Sequence, residues 1–362
     1  SGLLGNFSEF IQSGKSKDRN ENGNFVLYGS TGKIGFCNQL DYQGKNILIA
    51  RVGANAGFLY EVDGNYCVSD NTLILHLNKP NNYSFFFNLL TFLNLNKLVF
   101  GSGQPLITGS QLKSLNIFVP TFPEQTKIAS FLTAIDEKIS QLTQKNDLLK
   151  QYKKGVMQQI FSQRLRFKDD DGRKFSEWEE KKLGDIGIFK SGAGFPENMQ
   201  GGKVGIPFYK VSDMNIEAND ITMKIANHYV TDDQIKIMKS KVIKNTAIIF
   251  AKVGAAIFLE RKRIAGNFLI DNNMMAFIPN VDIQFIKQYF DTLILSRFAQ
   301  VGALPSYNSS DLSIIKANIP SLPEQTKIAN FLTAIDDKLT HTQIQLNAVK
   351  QYKKGLLQQM FV

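Results

Sequence analysis

The chain has 362 residues, 43% of them hydrophobic and 20% charged, enough for two or more domains with cores of their own. Its formal net charge of +10 is a weak pointer to a polyanionic partner such as nucleic acid. The apolar stretches 84–95 (broken by Asn88 and Asn94) and 247–259 (broken by Lys252) fall short of the ~20 residues of a membrane span, which argues against a membrane protein. The opening residues, SGLLGNFSEF, lack the basic region of a signal peptide. Cys37 and Cys67 match no zinc spacing and are expected to be two free core thiols in a reducing cytoplasm.

Residues 1–122 form the first expected unit. Alternating and apolar runs at 24–28, 46–52, 58–62, 71–77 and 114–119 are punctuated by Gly and Asn, which predicts a β-rich region with tight turns. Residues 84–99 lack turn residues and are expected to be helical, and Gly101, Gly103, Pro105 and Gly109 mark an exposed loop.

Residues 123–165 are expected to be one long helix. Pro123 and Glu124 suit its first turn. Ile128, Ile135, Leu142, Leu149 and Val156 form one seven-residue column, and Leu132, Ile139, Asn146, Lys153 and Ile160 a second. Five heptads of three-four spacing are a coiled-coil seam, and the helix is roughly 55–60 Å long. The chain then uses the same stretch again. Residues 323–361 repeat 123–161 at a constant offset, and 23 of the 39 aligned residues are identical, mostly in PEQTKIA-FLTAID and KQYKKG. Residues 323–362 are therefore a second long helix, and the two are expected to pack on each other. Lys153, Lys353 and Asn146 read as polar positions that set register.

Residues 166–182 are polar and charged and read as a linker with a turn at Asp171-Gly172, anchored to the next unit by Trp178. Residues 183–322 repeat the first unit at low identity. Leu183-Gly184 and Ser191-Gly192 echo Leu4-Gly5 and Ser13-Gly14, and IIFAKVGA (248–255) echoes ILIARVGA (47–54). No counterpart of the linker is found ahead of Leu4, so the first repeat is expected to lack an N-terminal piece.

No catalytic constellation emerges. Gly14-Lys15-Ser16 lacks the upstream glycine of a phosphate-binding loop, and residues 29–35 join strand-like segments as a hairpin tip. His76, His228 and His341 are isolated, and Asp169-Asp170-Asp171 reads as a solvated charge run. What remains is a set of polar and basic loop residues at matching places. In the first unit these are Lys15, Lys17, Arg19, Ser30, Thr31, Lys33, Arg51, Asn55 and Gln104. In the second they are Lys190, Lys210, Lys252, Arg261, Lys262, Arg263, Asn308 and Ser309. Lys and Arg neutralise phosphates, while Asn, Gln, Ser and Arg can pair with base edges.

At PTFPEQTKIASFLTAIDEKI and its echo PSLPEQTKIANFLTAIDDKL the chain closely resembles specificity subunits of Type I restriction–modification systems. The resemblance implies a mixed α/β (α+β) fold with two target-recognition domains separated by an antiparallel pair of long helices. Each domain would read one half of a bipartite double-stranded DNA target, with the helices setting the unspecified gap. The partners implied are two modification (methyltransferase) subunits and restriction subunits. The chain itself would catalyse nothing and hold no cofactor, S-adenosylmethionine, ATP and Mg2+ belonging to the partners. The alternative reading is a stand-alone DNA-binding protein with two readers, a repressor or architectural factor.

Overall fold

The computed structural model describes residues 1–17, 19–99, 106–300, 302 and 304–361. The loop expected around Gly101, Gly103 and Pro105 thus lies outside the described residues. The chain divides into two units, residues 1–145 with 342–362, and residues 146–341.

In the first unit, strands β1 (Gly2–Leu3), β2 (Ser8–Ser13), β3 (Phe25–Gly29), β4 (Gly32–Cys37), β5 (Tyr42–Gln43), β6 (Asn46–Ala50), β7 (Leu59–Val62), β8 (Asn65–Val68) and β9 (Thr72–Leu77) precede helix α1 (Tyr83–Leu93). Helix α2 (Gly109–Lys113), strand β10 (Asn116–Ile117) and the long helix α3 (Phe122–Phe161) follow. Among the described residues, two four-stranded sheets form in the orders β2-β9-β6-β7 and β4-β3-β8-β5, and β1 pairs separately with β10. The period-two pattern of β6 explains their stacking. Ile47 and Ile49 pack with Phe85, Phe86 and Leu89 of α1, while Leu48, between them, packs with Tyr66 and Val68 of the second sheet. Each such side chain contributes about 1.5–3 kcal/mol by leaving water.

The second unit repeats this plan with strands β11 (Glu179–Lys182), β12 (Gly187–Ser191), β13 (Ile206–Tyr209), β14 (Tyr229–Val230), helix α4 (Asp232–Met238), and strands β15 (Ala247–Ala251), β16 (Lys262–Ala265), β17 (Leu269–Ile270) and β18 (Met274–Pro279). Helices α5 (Ile283–Thr292) and α6 (Ser309–Ser313), strand β19 (Lys316–Ile319) and helix α7 (Leu322–Met360) complete it. Its main sheet runs β12-β18-β15-β16. Ile248 and Phe250 of β15 face Phe285 and Phe290 of α5, and Ala247 and Ile249 face the other way onto Phe268 and Ile270.

Both expected long helices are present, and all ten seam positions of each are buried or half-buried. Residues 122–145 of α3 belong to the first unit and 146–161 to the second, and α7 divides in the same way at residue 341. Within the first unit the start of α3 meets the end of α7. Ile128 and Ala129 share a core with Phe361, and Lys353 pairs with Asp136 at 2.7 Å. Within the second unit the end of α3 meets the start of α7, with Ile160 beside Ile328 and Lys153 paired to Asp336 at 2.6 Å. The pairing is antiparallel in each unit. The identical ends of the repeat are therefore partners. The aspartate of FLTAID in one copy holds the first lysine of the KKG run in the other.

The Pro-Glu-Gln entry also has a physical role. Gln125 accepts from the Asn82 N–H at 2.9 Å and donates to the Pro120 carbonyl at 3.0 Å. Gln325 does the same with Asp282 and Pro320, at 3.0 and 2.8 Å. Asn82 and Asp282 in turn cap α1 and α5, accepting from Phe85 and Phe285. One buried glutamine thus ties each long helix to the helix that covers its unit's sheet.

The structure corrects the expectation for the cysteines. Cys37 and Cys67 are joined as a disulfide. Spacing in the sequence could not show this, because it is β3 that brings them together. Phe25 of β3 pairs with Cys37 of β4, and Leu27 of β3 with Cys67 of β8. The cysteines therefore no longer argue for a reducing compartment. Among the described residues no helix is long and apolar enough to cross a membrane.

Candidate nucleic-acid interface

Strand direction gathers most of the first unit's expected contact residues at one end. The registers Ser13↔Leu73, Ala50↔Thr72 and Ile49↔Leu59 bring the end of β2, the end of β6 and the starts of β7 and β9 together. The second sheet delivers its hairpin tip to the same end, because β3 is parallel to β8 (Tyr28↔Val68) and β8 continues into β9. Lys15 and Lys17 are exposed on the loop after β2, and Arg51 and Asn55 lie half-buried on the loop after β6. Ser30 and Thr31 form the hairpin tip, and Lys33 stands beside it with its ammonium 4.2 Å over the Phe36 ring. Arg19 lies farther back, since its neighbour Asn20 bridges Phe36 partway along β4. Gln104 lies outside the described residues. Leu106, just after it, pairs with Val52.

Arg51 anchors this end. Its Nη1 donates to the Ser13 hydroxyl at 3.2 Å and reaches the Asp70 carbonyl at 3.5 Å. Its Nε is buried and has no hydrogen-bond partner among the described residues. The Arg51 carbonyl accepts from Ile107 N–H at 2.9 Å.

The second unit reproduces the arrangement at the ends of β12, β15 and β13. Lys252 donates to the Ser191 hydroxyl at 3.3 Å, the counterpart of Arg51 on Ser13, and its carbonyl accepts from Tyr307 N–H at 3.3 Å. Lys210, after β13, reaches Gln200 at 3.3 Å, and Lys190 is exposed on β12. Arg261 is held by Asn215, and Arg263 pairs with Asp220 at 3.1 Å. Burial holds the Arg263 guanidinium pKa below its usual value. Asn308 caps α6 by accepting from Asp311 N–H at 3.0 Å, and Ser309 is exposed beside it.

Lys262 differs from the rest. It is only 2% exposed, with its ammonium 2.8 Å from both Glu260 and the Leu293 carbonyl. Glu260 also accepts from Leu295 and Ser296 N–H at 3.0 and 2.8 Å. Burial raises the Glu260 pKa, but Lys262 and the Ser296 N–H outweigh it and hold the carboxyl below its ordinary value. This pair fastens the loop 252–261 to the body of the unit, and Lys262 faces inward.

Two glycine pairs let the loops sit as they do. A β-carbon on Gly14 would overlap the carbonyl oxygens of Val68 and Ser69, and one on Gly192 those of Ile270 and Asp271. Gly53 and Gly254, which follow Arg51 and Lys252 by two residues, have φ of 76° and 78°, a left-handed backbone that favours glycine. Sequence reasoning passed over Ser13 and Ser191 as site residues. The signal was present in the Ser-Gly echo, whose serine holds the cation and whose glycine allows the close approach.

No group of three or more His, Cys, Asp or Glu residues that could hold a metal occurs among the described residues. His76 is engaged by Asn46 at 2.8 Å and stacks on Phe10.

Comparison with known proteins places the arrangement in context. A family model described as Type I restriction modification DNA specificity domain matches residues 6–151 and 175–351. The Type I restriction enzyme MjaIX specificity subunit of Methanocaldococcus jannaschii is 26% identical over 278 residues, 71% of this chain and 62% of the relative. The EcoprrI specificity subunit of Escherichia coli is 27% identical over 120 residues, 33% of this chain and 30% of the relative. The chain thus spans less than two thirds of the length of these curated relatives. The crystal structure of a Type I restriction–modification S subunit from M. genitalium covers 99% of this chain and 95% of its own, with a TM-score of 0.67 at 18% identity. A second structure, from work on complex assembly and conformational transition of the type I R-M system, has a TM-score of 0.57 at 14% identity, covering 98% of this chain and 95% of its own. These two likenesses concern the fold. The family model matches both units, each with its mirrored cationic loop end, and the chain belongs to the Type I restriction modification DNA specificity domain family.

Proposed function

We propose that this chain is the DNA sequence-recognition subunit of a Type I restriction–modification complex. Each unit reads one block of a bipartite double-stranded target, through the loop end that carries Arg51 in the first unit and Lys252 in the second. The observation that carries this reading is the mirrored seat of those two cations, Arg51 on Ser13 and Lys252 on Ser191. Lys15, Lys17, Lys33, Lys190 and Lys210 supply phosphate contacts, which position the units on the duplex. Ser30, Thr31, Asn55, Gln104, Asn308 and Ser309 supply hydrogen bonds to base edges, with Arg19, Arg261 and Arg263 at the margins. Lys262 supports the loop from within.

The two long helices set the unspecified gap and dock two modification subunits, and restriction subunits join the larger complex. On this reading the chain is non-catalytic and works in the cytoplasm. Methyl transfer from S-adenosylmethionine to adenine belongs to the modification partner, and ATP- and Mg2+-dependent cleavage to the restriction partner.

Exchanging residues 183–322 for the matching domain of another family member tests the reading. The methylated target is expected to change in one block only. A change in both blocks, or in neither, would contradict independent reading by the two units.

A further inference from the structure

An apolar ring stands bare among the polar groups at the reading end of the first unit. Phe58, just ahead of β7, is 54% exposed. The backbone fixes its place. Its carbonyl accepts from Ala50 N–H at 2.8 Å, which carries the β6–β7 pairing one residue past Ile49↔Leu59 toward the loop end. Its N–H donates to the Asn55 carbonyl at 2.9 Å, so Phe58 closes the turn that carries Asn55. Tyr60, two residues on, lies on the same face of the strand by the alternation of β structure. The Tyr60 hydroxyl donates to the Ser30 carbonyl at 3.2 Å, and its ring packs on Gly32, where an added β-carbon would come within 3.4 Å. Tyr60 therefore holds the hairpin tip, Ser30-Thr31, against the face that Phe58 shares.

A carboxamide (Asn55), two hydroxyls (Ser30 and Thr31) and a phenyl ring (Phe58) are thus gathered at one place. Together they complement an A·T base pair. In the major groove adenine offers N7 and its N6 amino group, which a carboxamide meets with one donor and one acceptor. Thymine offers O4, to which a hydroxyl can donate, and the methyl group that sets this pair apart from G·C. A water-exposed phenyl ring gains by covering that methyl.

The second unit does not repeat the set. Ala256 follows Lys252 by four residues, as Asn55 follows Arg51. Arg263, opposite Ile249 on β15, takes the place that Tyr60 has opposite Leu48 on β6, and it pairs with Asp220.

We propose that Asn55, Phe58 and the hairpin tip of Ser30 and Thr31 read one A·T base pair in the block recognised by the first unit, with the Phe58 ring on the thymine methyl. This rests on the recognition reading above and gives it a base-pair chemistry.

The probes are duplexes carrying the two-block target taken from a map of methylated adenine, each with one thymine on either strand replaced by deoxyuridine. That change deletes the methyl and leaves the hydrogen-bonding groups in place. The block that survives exchange of residues 183–322 is the first unit's. Affinities are measured with the full chain and its modification partner. At one thymine of that block, deoxyuridine is expected to weaken binding about fourfold, the effect of one buried methyl. Phe58→Ala is expected to weaken binding to the thymine duplex by a similar factor and to become indifferent to the deoxyuridine change, while Phe58→Leu keeps the sensitivity. Asn55→Ala is expected to relax preference at the same base pair by about tenfold or more. A first block with no sensitive thymine would overturn the proposal. So would a sensitivity that survives Phe58→Ala, or one that Phe58→Ala removes from the second unit's block. Failure of the parent complex to prefer its mapped target over a scrambled duplex would overturn the recognition reading itself.

Discussion

Replacing Glu324 with alanine is expected to destabilise the second unit by about 3–5 kcal/mol, whereas Glu124→Ala is expected to cost no more than about 0.5 kcal/mol. The two residues occupy the same place in the same motif. Glu324, however, is fully buried and neutralises Arg166, whose side chain is only 22% exposed. Removing the carboxylate leaves the buried Trp178 indole N–H without its acceptor and Arg166 with only the Ser176 carbonyl and the exposed Glu177, and these losses account for most of the cost. The Glu324 carboxylate also holds the Arg166 pKa above its ordinary value. Glu124 has only the favourable end of its own helix, an interaction that water screens. Denaturant melts of the two variants check this. Equal losses would show that the two carboxylates do not differ in burial and partners.

The second large effect concerns Arg51 and Lys252. Removing both side chains is expected to lower affinity for the cognate target by about 100-fold, each contributing about 1–3 kcal/mol. The slope of log affinity against log salt is expected to fall by about one for each phosphate no longer neutralised. Arg51→Ala alone should relax preference in one block and Lys252→Ala in the other, because each side chain belongs to one unit's loop end. Titrations at several salt concentrations with half-site variants of the target measure both. A drop in affinity with no change in salt slope would mean that the cations act through folding of their loops. Each has a hydroxyl partner to hold in place, Ser13 or Ser191, so serine-to-alanine variants provide the control.

Much of this architecture could be read from the sequence because the chain states it twice. The constant offset between 123–161 and 323–361 gave the repeat, and the three-four columns gave the buried seam. The expected strands at 46–52, 58–62 and 71–77 became β6, β7 and β9, whose apolar residues are buried or half-buried. Short, half-buried strands such as β4, with glycine at two of its six positions, carry no comparable pattern and were missed. The Cys37–Cys67 pair was illegible for a related reason. It depends on β4 and β8 flanking β3, which no spacing rule encodes. Lys262 looked like its neighbours Arg261 and Arg263 until β16 turned it inward. The difference between Glu124 and Glu324 does not lie in the motif, PEQTKIA in both copies, but in the charged segment 166–182, which was read as a linker and not as the cover of Glu324.

The central claim is that two related units read one bipartite target. Its most direct test is a genome-wide map of methylated adenine in cells with and without this gene, with the modification partner expressed in both. The expected result is a motif of two short blocks around a fixed gap that disappears with the gene. An unchanged map, with the partner shown to be present, would contradict the claim and favour a DNA-binding protein that acts alone.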